Sequence, residues 1–316
     1  MLQQNSINIL TTNAAGLKQK AGDLQNKIRH LQSSIFSVQE THFAKKGKFK
    51  MDKYVIFEAI RTSKIKGGSL LGVHMDLQPV LIKEYSDDFE LLVVEITTGN
   101  SKIRIFTGYG PQENWEEPKR IQFFEAVESE VAAAELEGRT VIMSMDANSK
   151  LGSNYIKEDP HVQSKNGKLL ADILDRHALI VLNGVQEKCT GLYTREKRTV
   201  SGVEQSVINF VIVSSNLINH VQSIHIDDKR LNVLTRLTKR GNHKKIVESD
   251  HNMIETKLNI SWQSYTDKPL EVFNFSNKES QNKFFKATHD TKAFTDIFET
   301  NKSLAVQTKK FIKRLN

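Results

Sequence analysis

Between Tyr54 and Gly108 the chain alternates short apolar runs with shorter turn signals, and this alternation leaves few folds open. Tyr54 to Ile60, Ser69 to His74, Val80 to Glu84, Glu90 to Thr97 and Lys102 to Gly108 are each rich in Val, Ile, Leu and Phe. Lys66-Gly67-Gly68, Gln78-Pro79, Ser86-Asp87-Asp88 and Thr98-Gly99-Asn100 separate them, and residues of these types mark places where a chain reverses. Strands joined by connections this short pair antiparallel, because a parallel crossover needs a dozen residues or more. Helical spacing runs from Gln19 to Leu31, from Pro118 to Glu135 with Gly138 past its end, and from Gly167 to His177. Strands, then helices, then strands again fit two packed sheets with helices outside them.

Polar residues gather where the apolar runs stop. Thr140 to Asn148 reads as a buried strand with Asp146 and Asn148 at its exit. A carboxylate that takes a proton, with an amide two residues on, can activate water against a phosphate; the same pair can equally satisfy its own backbone in a turn. Ile7 to Thr12 stops at Asn13-Ala14-Ala15-Gly16, and Ser34 to Gln39 at Glu40-Thr41-His42. Glu40 is either a solvated acid or a ligand for a hard divalent ion. Tyr109, in the turn Gly108-Tyr109-Gly110-Pro111, is either core packing or a phosphate contact. Asn209 lies inside the apolar run Val207 to Ser214 and needs a partner there, since an unpaired buried amide costs about 1–3 kcal/mol. Ser249-Asp250-His251 precedes an alternating strand, Met253 to Ile260; His251 beside Asp250 is a candidate acid, base or charge stabiliser, or simply a turn.

The chain's 316 residues suffice for one large domain with an appendage. A composition of 38% hydrophobic and 26% charged residues excludes disorder as the dominant state. Lysine and arginine outnumber the acids 45 to 37, a formal charge of +8 that favours a polyanionic partner such as nucleic acid. A lone cysteine, Cys189, excludes an internal disulfide, reads as a small buried hydrophobe and suits a reducing compartment, nuclear or cytoplasmic. The N-terminus lacks a basic region followed by an apolar run, and no stretch approaches membrane-spanning length, so no membrane partner is expected.

Taken as an ordered set, Asn13, Glu40, Tyr109, Asp146 with Asn148, Asn209, and Ser249-Asp250-His251 resemble the endonuclease/exonuclease/phosphatase superfamily. The set is most similar to the apurinic-type endonuclease domains of LINE-type (non-LTR) retrotransposons, over approximately Ile7 to Ile260. The resemblance implies an α/β fold, a four-layered α/β sandwich of two mostly antiparallel packed sheets flanked by helices. It also implies phosphodiester cleavage with Mg²⁺, or Mn²⁺ in its place. Glu40 would bind the metal, with Asn13 orienting it and Asp250 on the metal side. Asp146 would orient or deprotonate water, Asn148 would hold that water or a phosphate oxygen, Tyr109 would contact the scissile phosphate, and His251 would stabilise its developing charge. The family places Asp where this chain has Asn209, so weakened cleavage is expected.

Two stretches are expected to grip double-stranded DNA. Tyr193 to Arg198, with Thr194, Arg195 and Arg198, leads into a loop through Gln205 that is similar to a groove-probing hairpin of the retrotransposon enzymes. Lys229 to Lys245 carries Lys239, Arg240, Lys244 and Lys245 among its bases and no acid; it is a loop that either contacts phosphates or is merely solvated. The endonuclease domain is expected over 1–262. Residues 263–316, with helical spacing over 277–289, 291–299 and 303–315, resemble the start of a region leading to a reverse transcriptase. The expected activity is nicking of target DNA to leave a 3′-hydroxyl for target-primed reverse transcription. The alternatives are a catalytically silent DNA-binding relative and a phosphomonoesterase of the same superfamily.

Overall fold

A computed structural model describes residues 4–61, 66–86, 89–99, 101–240 and 243–263, with backbone alone at 4, 5, 239, 240, 243, 244 and 263. Met1–Ser264 forms one compact unit. The second unit, Tyr265–Asn316, and with it the helices expected over 277–289, 291–299 and 303–315, lies outside the described residues.

Two large sheets organise the first unit. One runs, in spatial order, Cys189–Thr190, Val221–Ile226, Ile254–Gln263, Gln4–Asn13, Ile35–Gln39, Ser69–His74 and Tyr54–Ala59. The other runs Val80–Tyr85, Glu90–Thr98, Ser101–Tyr109, Thr140–Asp146, Asn209–Ser214 and Leu179–Val181. The consecutive strands from Glu90 to Tyr109 pair antiparallel, as their short connection requires. Gln4–Asn13 with Ile35–Gln39, and Ser101–Tyr109 with Thr140–Asp146, pair parallel.

Alternate residues of each central strand enter different cores, because successive side chains point to opposite faces. Ile9, Ile35, Ile105 and Ile142 pack between the sheets. Their neighbours Leu10 and Phe36 face Leu24 and Ile28 of the helix Ala21–His30. On the far side, Phe106 and Met143 share a core with Phe123 and Val127 of the helix Glu117–Leu136 and Leu170 and Leu174 of the helix Lys165–Arg176. The result is four layers, helix, sheet, sheet, helices, with large side chains that each contribute about 1.5–3 kcal/mol on burial.

Near one end of the sandwich this apolar filling gives way to hydroxyls. Ser37 donates to the carbonyl of Ser144 at 2.7 Å and Thr107 to the same carbonyl at 3.0 Å. Thr11 pairs with the Ser144 hydroxyl across the same gap. The Ser37 and Thr11 contacts join the two sheets, and Thr107 ties in the neighbouring strand, directly beneath the strand ends that carry the polar residues.

The basic run differs from its expected loop. Thr235–Arg240 and His243–Glu248 are paired antiparallel strands, with Leu237 opposite Ile246 and Lys239 opposite Lys244. Likewise Arg195–Thr199 and Gly202–Ser206 form a two-stranded hairpin. Among the described residues no helix is long and apolar enough to cross a membrane.

Candidate active site

Strand direction brings the polar residues together. Parallel pairing sets Asn13 opposite Gln39, and so places Glu40 beside it; it also sets Tyr109 opposite Asp146. Asn209 begins the antiparallel neighbour of the Asp146 strand and lies opposite Asp146 itself. Asp250 and His251 immediately precede the strand Ile254–Gln263, which runs antiparallel to Gln4–Asn13. Four strand exits and two strand entries therefore meet at one end of the sandwich.

Asn13 is the centre of this arrangement. Its Nδ2 donates to Glu40 Oε1 at 2.9 Å and to Asp146 Oδ2 at 2.8 Å, so one amide joins two carboxylates that would otherwise repel. Its Oδ1 accepts from the Ala15 amide at 2.9 Å. The following loop is fastened by buried Lys20, which donates to the Ala14 carbonyl at 2.5 Å. Burial, with Arg236 nearby, pulls the Lys20 ammonium down to about 8.

The two carboxylates differ. Burial opposes ionisation of Glu40, but hydrogen bonds from His42 and Asn13 and the His251 charge outweigh it and hold the group down to about 2. Glu40 is thus a carboxylate at neutral pH. Asp146 is fully buried, and burial pushes its pKa up against the influence of His251 and Asn13. Its second oxygen accepts from the Asn148 amide at 3.1 Å. Tyr109 is held well above the ordinary phenol range by burial and the charges of Glu40 and Asp146, so it keeps its proton and can donate it in a hydrogen bond.

His251 Nδ1 lies 2.8 Å from Asn209 Oδ1 and 3.7 Å from Asp146 Oδ2. The partner that Asn209 was expected to need exists for its oxygen: Nδ2 is buried and has no hydrogen-bond partner among the described residues. Ser249 fixes the approach, donating to the Asn13 carbonyl at 2.7 Å and accepting from the His251 amide at 3.2 Å. Glu40, Asp146 and His251 thereby each offer a ligand atom within 4.8 Å of the others, a geometry open to a metal ion. Asp250 borders that group, its Oδ1 3.9 Å from His251 Nε2 and its Oδ2 3.0 Å from Arg195.

Backbone strain marks the same loops. Glu40, His42 and Asn148 adopt φ of 49°, 54° and 45°, a left-handed conformation that non-glycine residues reach at a cost. Gly110 permits the tight approach of the Tyr109 strand to the Asp146 exit, since a Cβ there would lie 2.5 Å from the Ala147 carbonyl oxygen. Asn148 donates to the Gly110 carbonyl at 2.8 Å, and buried Asn166 donates to the carbonyls of Pro111 and Asn148.

Above these residues opens a cleft of about 830 Å³, lined by Glu40, Tyr109, Asn148, Asp250 and His251 on its floor and by Arg195, Gln205 and Ser206 on the hairpin side. Gln112, Lys150 and His161 also line it, and none of the three was expected. His161 is held 2.7 Å from Asp159; its only sequence signal is a polar loop after the Asp146 strand. Thr194, expected to touch DNA, is fully buried, and its hydroxyl accepts from the amides of Ile208 and Asn209. It seats the Asn209 strand instead. Arg198 is exposed on the hairpin, as is Lys245 on the second one. For Lys239, Arg240 and Lys244 the side chains lie outside the described residues. Cys189 is half-buried, its thiol pushed up to about 11 by burial with Glu158 and Asp228 nearby, and it lies away from the cleft.

No protein-family model matches the sequence, and no curated protein does. Solved structures do. The endonuclease domain of TRAS1, a telomere-specific non-LTR retrotransposon, superposes with a TM-score of 0.57 at 17% identity, covering 80% of this chain and 98% of that one. The AP endonuclease of Leishmania major gives 0.63 at 14% identity over 80% and 87%. A mannosyl-6-phosphatase of Bacteroides thetaiotaomicron gives 0.55 at 13% identity over 80% and 99%. The chain has the fold of the endonuclease/exonuclease/phosphatase superfamily, the four-layered α/β sandwich that the sequence resemblance implied.

Proposed function

We propose that this chain is a divalent-metal-dependent endonuclease that nicks one strand of double-stranded DNA and leaves a 3′-hydroxyl, weakened by Asn209. The observation that carries this reading is the convergence of Glu40, Asp146 and His251, of which Glu40 and His251 line a cleft and Asp146 is buried behind them. One wall of that cleft is the Arg195–Ser206 hairpin, and the basic hairpin Thr235–Glu248 leads directly into Ser249-Asp250-His251. Two neighbouring solved structures are nucleases. In a retrotransposon setting the new 3′-hydroxyl would prime a reverse transcriptase carried further along a longer chain.

The donor set suits a hard divalent ion such as Mg²⁺ or Mn²⁺. Glu40 is ionised, faces the cleft and sits beside a second carboxylate oxygen from Asp146. A bound ion would neutralise charge on the phosphate and on the leaving oxygen. The chain's own residues do the rest. Asn13 aims both carboxylates, and Tyr109, protonated, donates to a non-bridging phosphate oxygen. Asp146 would act in its ionised form, accepting the proton of the attacking water, and its burial makes that carboxylate a stronger base. Asn148 positions that water, and His251 stabilises the charge that develops on phosphorus-bound oxygen.

The orphaned Asn209 Nδ2 favours a second reading, a DNA-binding relative that is catalytically silent. The phosphatase among the fold's neighbours keeps monoester hydrolysis as a third. Incubation with Mg²⁺ and supercoiled plasmid, a gel-shift titration on duplex DNA, and an assay on a small phosphomonoester separate the three. Nicking together with a shift is expected. A shift without any nicking would establish the silent binder, and monoester turnover without a shift the phosphatase.

A further inference from the structure

Asp250 is the acid of this site that a cation already neutralises. Arg195 Nε and Nη2 both lie 3.0 Å from its Oδ2, in a partly exposed pair at the cleft wall. Asp250 Oδ1 lies 3.9 Å from His251 Nε2. The backbone fixes the same contact: residue 195 bridges residue 251 in antiparallel fashion, and the Glu196 amide donates to the Asp250 carbonyl at 2.8 Å. Asn252 adds two more ties, its amide to the Thr194 carbonyl at 2.8 Å and its Nδ2 to the Tyr193 carbonyl at 2.6 Å. The guanidinium is therefore delivered by a hairpin whose base is fastened to the segment it neutralises.

The geometry points to Arg195 as a built-in cation that stands where a second divalent ion would otherwise sit, so that this cleft takes one metal ion, at Glu40, and not two. The inference rests on the metal-dependent reading above. A divalent ion placed on Asp250 would have to displace or crowd a guanidinium already within 3.0 Å, and like charges at such range repel strongly. Guanidinium, unlike a metal ion, is always charged and is permanently attached. It carries five N–H donors in a planar fork, and two of its nitrogens on one carboxylate oxygen leave others for a phosphate oxygen. Arg195 thus neutralises Asp250 in the free protein and presents positive charge beside His251 when a phosphodiester enters.

Counting bound Mn²⁺ tests this without reference to catalysis. Calorimetric titration, with paramagnetic resonance of free Mn²⁺ as a second reading, is expected to give one site per chain in the protein as it stands. Arg195→Gln is expected to give two sites, and the double variant Arg195→Gln with Asp250→Asn one again. Asp250→Asn alone, which leaves the hairpin's backbone ties in place, is expected to keep the single site with its affinity unchanged within about twofold. Two sites in the unaltered protein, one site in Arg195→Gln, or loss of the site in Asp250→Asn would each overturn the inference while leaving a metal-dependent nuclease intact. No Mn²⁺ bound by any of them would overturn both the inference and the reading it rests on.

Discussion

Asn209 offers its side-chain oxygen to His251 Nδ1 at 2.8 Å, while its own side-chain nitrogen is buried without a partner among the described residues. The contact orients the imidazole, leaving Nε2 for the cleft side. It does so with an uncharged group, and the unmatched donor carries a desolvation cost of about 1–3 kcal/mol. A side chain at this position that holds a charged imidazole without waste would be an anion. Geometry and charge are thus separated at residue 209: the chain keeps the first and lacks the second.

Glu40 is expected to be the main anchor of the metal. Glu40→Gln preserves shape and can still accept from Asn13 and His42, but it removes the charge that those bonds hold in place. Mn²⁺ affinity measured by calorimetry is expected to fall tenfold or more, and unchanged affinity would remove Glu40 from the site.

The hairpin Thr235–Glu248 is expected to contribute affinity more than sequence choice. Replacing Lys239, Arg240, Lys244 and Lys245 together by Ala is expected to reduce the slope of log K against log salt, by up to about 0.9 per lost phosphate contact. DNA binding measured across a salt series checks this; an unchanged slope means that the hairpin does not meet the backbone.

Glu95 provides a stability test away from the cleft. Burial opposes its ionisation, yet bonds from Lys102 at 2.7 Å, Arg104 at 3.1 Å and Arg139 at 3.0 Å hold its pKa down to about 2. A folded-state pKa below the unfolded one adds stability that is complete above the unfolded value and fades as pH falls through the folded one. Parent and Glu95→Gln are therefore expected to differ by on the order of 1–3 kcal/mol at neutral pH, the gap closing between pH 4.5 and about 2. Denaturant unfolding at stepped pH measures it, and a gap that persists at the acid end would count against this cluster.

Much of this arrangement was legible because its signals are local. Glu40, Tyr109 and Asp146 each follow or end an apolar run, and as part of an ordered set they carry the family resemblance; that their strand ends meet follows from the parallel pairings, which no local signal shows. The features that escaped are those that depend on distance in sequence or on backbone shape. Arg195 and Asp250 are far apart along the chain, and nothing near either residue announces the pair. Thr194 looks like one more polar hairpin residue until the strand amides it accepts from are known. The left-handed turns at Glu40, His42 and Asn148 sit at residues with no glycine to signal them. The strands Thr235–Arg240 and His243–Glu248 were hidden by their charge: lysines and arginines occupy positions where alternation would otherwise show, although Gly241-Asn242 is a turn pair typical of hairpins. The short strands Leu179–Val181 and Cys189–Thr190 lack the length from which periodicity can be read.

Asn209→Asp supplies the missing charge without altering the shape, and initial rates of Mg²⁺-dependent nicking of supercoiled plasmid, beside duplex affinity from gel shift, read its effect. Asp and Asn are nearly isosteric, so strand pairing with Asp146 and the contact to His251 are expected to survive the exchange. The added carboxylate is expected to raise the nicking rate by on the order of 10²-fold or more, the scale on which a positioned acid or base acts, while duplex affinity changes by less than about threefold. A parent chain that already nicks as fast as the Asp variant would show that His251 needs no carboxylate, and would contradict the proposal that a charge deficit at residue 209 weakens cleavage.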